Sequence, residues 1–169
     1  VEDIISGKFY NPTKGNLNFK SVLDEIFSYI QEQPEHNYEI IVGCDSSSSE
    51  EPSFPIAIVV LRKGWGGRFF LKKVKYKNRK FYNLHQRISE EVLLSCRLAI
   101  ALRKAIEEKV LELTDLPDYQ FRYIHADIGQ NGATRDMIKE LVGLIKSNGF
   151  EAKIKPEAYV ASVIADRFS

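Results

Sequence analysis

The sequence predicts an α/β fold, a mixed five-stranded sheet flanked by helices, and three observations predict it. Three strand-like apolar runs follow one another directly, at 38–45, 55–61 and 68–75. After them helical and strand patterns alternate to the end of the chain, the order that builds a mixed sheet from an antiparallel start. Finally, two of the strand-like runs close on an acid: YEIIVGCD ends at Asp45 and FRYIHAD at Asp127. A carboxylate at the end of a buried strand is costly unless something cationic meets it.

Each element has its own signal. Residues 1–17 are polar and turn-rich (NPTKGN, 11–16) and read as a wrap around the outside. From Phe19 to Ile30, the apolar residues Val22, Leu23, Ile26, Phe27 and Ile30 recur at helical spacing, and Gln33-Pro34-Glu35 stops the pattern. The second and third strand runs are joined by Lys63-Gly64-Trp65-Gly66-Gly67, a good hairpin turn. A long polar loop, Ser46 to Pro52, separates the first two. A helical pattern then runs from Leu84 to Leu113, with Leu94, Leu98, Leu102 and Ala105 on one face and Pro117 beyond its end. A strand at 121–126, a turn with Gly129 and Gly132, and a helix carrying Ile138, Leu141, Val142 and Ile145 come next. Asn148-Gly149 ends that helix, and a short strand at 150–154 leads through Pro156 into a last helix, 157–167. The order is a helix followed by βββαβαβα, which is the ribonuclease H-like order of elements.

At 169 residues, 44% hydrophobic and 28% charged, the chain reads as one globular unit. Residues 1–36 form an extension and helix packed on the core, and 37–169 the main domain. The net charge of +1 gives no global polyanion signal, so any nucleic-acid affinity must come from local segregation of charge. The two cysteines, Cys44 and Cys96, both read as buried thiols. That pattern, with no apolar run near the roughly 18 residues of a membrane span and no signal segment, leads us to expect a cytoplasmic protein.

Four acids fall at meaningful places: Asp45, Glu91, Asp127 and Asp166. Glu91 shares a helix face with Leu94 and Leu98, whereas Glu90 is expected to point about 100° away. Asp166 lies in the last helix beside a strip of small residues, Ala158, Ala161 and Ala165. Each acid has a plainer reading: Asp45 and Asp127 as turn aspartates, Asp166 as a solvated helix-end residue. Converging acids would repel one another, and a divalent metal neutralises them. Two Mg²⁺ or Mn²⁺ ions about 3.5–4 Å apart can clamp the attacking and leaving oxygens of a phosphoryl displacement.

The chain resembles the uncharacterised bacterial ribonuclease H-like family typified by YkuK. The resemblance is carried by IIVGCDS (40–46), by Arg87 with Glu91-Val92, by IHADIGQNGATRDMIKELVG (124–143) and by KPEAYVASVIAD (155–166). It implies the fold and a nuclease-type metal site, with Asp45, Glu91, Asp127 and Asp166 in the positions of the superfamily's acids. It implies no particular substrate.

Other segments bear on a nucleic-acid partner. Residues 71–87 carry seven basic side chains and no acid, with Tyr76, Phe81 and Tyr82 interleaved. Lys75, Lys77, Arg79, Lys80 and Tyr82 are the expected phosphate and stacking contacts, although lysines also guard exposed sheet edges. His125 shares strand parity with Asp127 and reads either as an auxiliary group or as a structural histidine. Ser46 offers a hydroxyl with no base placed to activate it. Asn131 sits in a Gly-rich turn that could receive a phosphate at a helix N-terminus. Trp65 reads as an exposed stacking residue or as one folded back on the sheet. The expected activity is metal-dependent phosphodiester hydrolysis. The rival is a catalytically silent nucleic-acid-binding module on the same fold. A nucleotide-handling domain of the actin type fits poorly, because it pairs two such domains.

Overall fold

The computed structural model describes residues 3–158. In chain order the elements are β1 (Phe9–Asn11), β2 (Gly15–Leu17), α1 (Phe19–Glu32), β3 (Tyr38–Cys44), β4 (Phe54–Arg62) and β5 (Gly67–Val74). They continue with α2 (Leu84–Val110), β6 (Tyr119–His125), a 3-10 turn (Arg135–Met137), α3 (Ile138–Ser147) and β7 (Glu151–Lys153). The last helix expected from the sequence, and Asp166 within it, lie outside the described residues.

One mixed sheet has the order β2-β1-β5-β4-β3-β6-β7. The strands β3, β4 and β5 run antiparallel as a meander, and β6 and β7 add parallel to β3 and to each other. The sheet has seven strands rather than the five expected. Residues 9–17, read from sequence as an outer wrap, form a hairpin that pairs with β5 through Tyr10 opposite Leu71. The cause is visible in single residues. Phe9 is fully buried, and the Asn11 side chain accepts from the backbone N–H groups of Thr13 and Lys14. A polar turn sequence thus closes a short hairpin whose inward residue is aromatic.

Helix α1 starts at Asn18, whose side chain accepts from Ser21 N at 2.8 Å, and α2 at Asn83, which accepts from Gln86 N at 2.9 Å. Such caps satisfy N–H groups that the helix itself leaves open. The apolar stripes of the three described helices join one core on one face of the sheet, where Ile40, Val42, Ile56, Ile58 and Ile124 meet Ile26, Leu98 and Leu141. A fully buried isoleucine such as Ile26 replaced by Ala costs about 2–5 kcal/mol. On the opposite face Ile41, Ala57, Val59 and Leu71 form a smaller cluster. Among the described residues no helix is long and apolar enough to cross a membrane.

The register brings four strand ends together. Cys44 pairs with Ile56, Phe54 with Val74, Gly43 with His125 and His125 with Lys153. The chain therefore leaves β3, β5, β6 and β7 at one and the same end of the sheet. Asp45 and Asp127 follow two neighbouring strands there, and neighbouring strands lie about 4.8 Å apart.

Candidate functional site

The β3–β4 loop is built so that its first two residues turn back onto α2. Asp45 N–H donates to Pro55 O at 3.1 Å, continuing the ladder one step past β3. Ser46 N–H then donates to Asp45 Oδ1 at 2.8 Å, and the Ser46 hydroxyl donates to Glu91 Oε2 in a short contact. Ser46 thus does more than offer a hydroxyl: it ties the end of β3 to the second turn of α2.

Glu91 is 3% exposed, and its other oxygen, Oε1, has no hydrogen-bond partner among the described residues. Burial pushes its carboxyl well above the usual range. The Ser46 hydrogen bond opposes this, while the charges of Asp45 and Asp127 push it further up and Arg87 pulls it down. Asp45 and Asp127, at the ends of two strands, therefore both act on Glu91 of α2. The Cys44 thiol feels the same field: burial raises it first, and Glu91, Asp45 and Glu90 add to that. Both cysteines are free and buried.

Glu90 departs from the expectation of a residue turned off the core side. It is as buried as Glu91, at 4% exposed. Its carboxylate accepts from the Tyr76 hydroxyl at 2.6 Å and pairs with Arg79 at 3.2 Å. Two adjacent buried glutamates thus have different fates. Glu90 is neutralised by its own partners, and Glu91 faces other acids.

Asp127 is half-buried just beyond β6. Two backbone bonds bracket it, Ala126 N–H to Lys153 O at 2.9 Å and Lys155 N–H to Ile128 O at 2.8 Å. They run the β7 strand on beside the loop and bring Lys155 Nζ to 2.7 Å from Asp127 Oδ1. The Asp127 hydrogen bond raises the Lys155 ammonium above its ordinary value, partial burial opposes it, and the charges of Asp127, Asp45 and Glu91 add to the rise. Gly129 lies so near that a Cβ there would stand 3.2 Å from Lys155 Cβ. A cleft of about 480 Å³ opens beside this pair, lined by Gly129, Gln130, Asn131, Lys155, Pro156 and Glu157. Asn131 is exposed there. The helix does not begin at this turn, as expected from the sequence, because the 3-10 turn stands between it and α3.

His125, the last residue of β6, is 3% exposed, and neither ring nitrogen has a hydrogen-bond partner among the described residues. Burial, helped by Lys153 and opposed by Glu39, pushes its pKa down to about 4.

The basic run splits into two kinds of residue. Tyr76 and Phe81 turn inward against Phe54, with Phe54 and Phe81 ring centroids 5.0 Å apart. Arg79 lies over both inward rings, 5.0 Å from Tyr76 and 4.6 Å from Phe81, besides pairing with Glu90. Lys72 is buried and donates to Ile4 O and Ser6 O, pinning the N-terminal segment. Lys73, Lys75, Lys77, Lys80 and Tyr82 remain exposed. A cleft of about 650 Å³ is lined by Lys73, Lys75, Lys77, Tyr76 and, from α2, Arg97. Arg97 carries no sequence signal of its own, because it is a lone base on a helix face. Trp65 is 70% exposed at its hairpin tip, with its ring 5.4 Å from that of His36.

The donor types are those a hard divalent cation takes: carboxylates, a hydroxyl and a buried Glu91 oxygen with no hydrogen-bond partner among the described residues. Among the described residues no three side chains of His, Cys, Asp and Glu stand as a group able to hold a metal ion. Asp127 is instead in contact with Lys155.

A family model described as Ribonuclease H-like matches residues 21–169. The chain belongs to the ribonuclease H-like family. This ribonuclease H-like chain is also similar to the uncharacterized protein YkuK of Bacillus subtilis (strain 168). The two are 30% identical over 169 residues, covering 95% of this chain and 96% of the relative. No solved structure matches it.

Proposed function

We propose that this ribonuclease H-like protein is a nuclease that hydrolyses phosphodiester bonds with Mg²⁺ or Mn²⁺, by a mechanism using two ions. The observation that carries the reading is Glu91, a buried carboxylate with one oxygen unpartnered among the described residues, acted on by Asp45 and Asp127. A cluster that pushes its own member toward the neutral form is an arrangement that a cation relieves.

Asp45, Glu91 and Asp127 would hold the ions, with Asp166 proposed as a fourth ligand on the sequence pattern. Bound there, divalent metal would supply an activated water and charge stabilisation at the phosphoryl group. The protein's own contribution is positional. Ser46 fixes one Glu91 oxygen, so the carboxylate presents the other. The Pro55 bond fixes Asp45 at the end of β3, and the β6–β7 backbone bonds fix Asp127 beside it. The buried surroundings of Glu91 keep water away from the back of the site.

Nucleic acid would approach along the same end of the sheet. Lys75 and Lys77 leave β5 there, and the Lys73, Lys75, Lys77 and Arg97 cleft offers phosphate contacts, with Lys80 and exposed Tyr82 beyond it. Arg79 serves here to order the segment, through Glu90, Tyr76 and Phe81. Lys75→Ala with Lys77→Ala should therefore weaken binding alike across sequences. The slope of log K against log salt should flatten by roughly 0.9 for each phosphate no longer neutralised on duplex DNA, or about 0.7 on single strands. An unchanged slope in an anisotropy titration would return these lysines to the role of a guarded edge.

The activity itself is tested by offering RNA, DNA, hybrid and branched substrates with Mg²⁺, Mn²⁺ or EDTA, with Asp45→Asn as the control. Cleavage that needs divalent metal and is lost in Asp45→Asn supports the nuclease. Binding without cleavage of any substrate would support the silent binding module instead.

A further inference from the structure

Lys155 stands where a metal-site reading leaves no obvious place for it. Its ammonium is 2.7 Å from an oxygen of Asp127, and the charges of Asp45 and Glu91 act on it as well. A lysine and a divalent ion cannot comfortably share one carboxylate oxygen, because both are cations and would lie a few ångströms apart. One has to leave. Lys155 is built to be the one that leaves. Its side chain is 58% exposed, so the pair is a weak one in water. Its base is fixed, since Lys155 N–H is bonded to Ile128 O at 2.8 Å and its stem packs against Gly129. The flexible end therefore pivots from an anchored backbone. Space for that motion adjoins the pair, in the cleft of about 480 Å³ lined by Gly129, Gln130 and Asn131.

We propose that Lys155 is the internal counter-cation of the acid site. It holds Asp127 when no divalent ion is bound, and metal displaces it into the adjoining cleft. The inference rests on the metal-site reading above and adds to it an exchange of one cation for another on Asp127. The exchange favours doubly charged ions, because a monovalent ion would bring no more charge than the lysine it replaces.

Amine acetylation read by peptide mass spectrometry tests this on the intact protein, with exposed Lys146 as the internal reference. Saturating Mg²⁺ or Mn²⁺ should raise labelling of Lys155 several-fold and leave Lys146 unchanged. Asp127→Asn should label strongly at Lys155 with or without metal. Calorimetry should show Lys155→Met binding Mn²⁺ about tenfold more tightly than wild type, the scale of removing one unit charge a few ångströms away. Lys139→Met, at an exposed position of α3, should change affinity much less. Metal binding by wild type with no change in Lys155 labelling overturns the exchange and leaves the metal site standing. No binding heat with either wild type or Lys155→Met overturns the metal site, and the exchange with it.

Discussion

Glu91→Gln is expected to abolish cleavage and, in EDTA, to raise the melting temperature. The activity loss should be about a thousandfold or more, close to 4 kcal/mol of barrier. The stability gain has a separate cause. Glu91 is buried near Asp45 and Asp127 with one oxygen unpartnered among the described residues, and its carboxyl is held well above the ordinary range, first by burial. An acid whose folded pKa is raised binds its proton more tightly when folded, so stability falls as pH rises through the folded value. The neutral amide escapes that loss, so its advantage should be larger at pH 8 than at pH 4. Each unit by which burial and the neighbouring acids raise that carboxyl is about 1.4 kcal/mol that the neutral amide does not lose. At this chain length that is about 2–4 °C per kcal/mol. Glu90→Gln should behave in the opposite way. It takes a charged acceptor from Tyr76 and Arg79, so it should lower the melting temperature while most cleavage survives. Loss of cleavage from Glu90→Gln at unchanged stability would mean that the two glutamates have been assigned the wrong way round.

That contrast marks the limit of what the sequence discloses. Helical periodicity places Glu91 on the core side and turns Glu90 away, yet both are buried. Periodicity reports the direction of a side chain and cannot see what arrives from elsewhere. Here Tyr76 and Arg79 come from the β5–α2 connection and cover a position that would otherwise face solvent. The strands and helices of the main sheet were legible because short apolar runs and helical spacing are local and strong, from YEIIVGC in β3 to the long α2 stripe. The N-terminal hairpin was not. Its strands are three residues each, and its pairing with β5 depends on a contact between Tyr10 and Leu71. The acids at the ends of β3 and β6 could be picked out by position, but Lys155 on Asp127 could not, because it follows from how far β7 runs beside the β6 loop. The basic run shows the same division. Counting charges finds the segment, and only the fold separates Arg79, which orders it, from Lys75 and Lys77, which line a cleft.

His125 should make the protein acid-sensitive in a way that a single substitution removes. Its imidazole is buried at the end of β6 with neither nitrogen bonded among the described residues, and its pKa is pushed down to about 4, first by burial and then by Lys153, against the pull of Glu39. The unfolded chain takes up a proton near pH 6.5, the ordinary histidine value, and the folded protein near pH 4. Between those values the unfolded state binds more protons, so stability rises with pH across the window and is lost on acidification. The full loss, reached below pH 4, is about 3 kcal/mol at about 1.4 kcal/mol per unit. Glu91 titrates with the opposite sign, so the measurement belongs in a Glu91→Gln background, where that contribution is gone. His125→Phe keeps a ring of similar shape and gives up no hydrogen bond that the structure records. Denaturant midpoints from pH 4 to 7 should then diverge at the acid end: the Phe variant stays level while the parent falls. An NMR titration should place the His125 ring well below the ordinary histidine value of about 6.5. Parallel pH profiles for parent and Phe variant, or a His125 titration near 6.5, would show that water or another partner reaches this ring in solution.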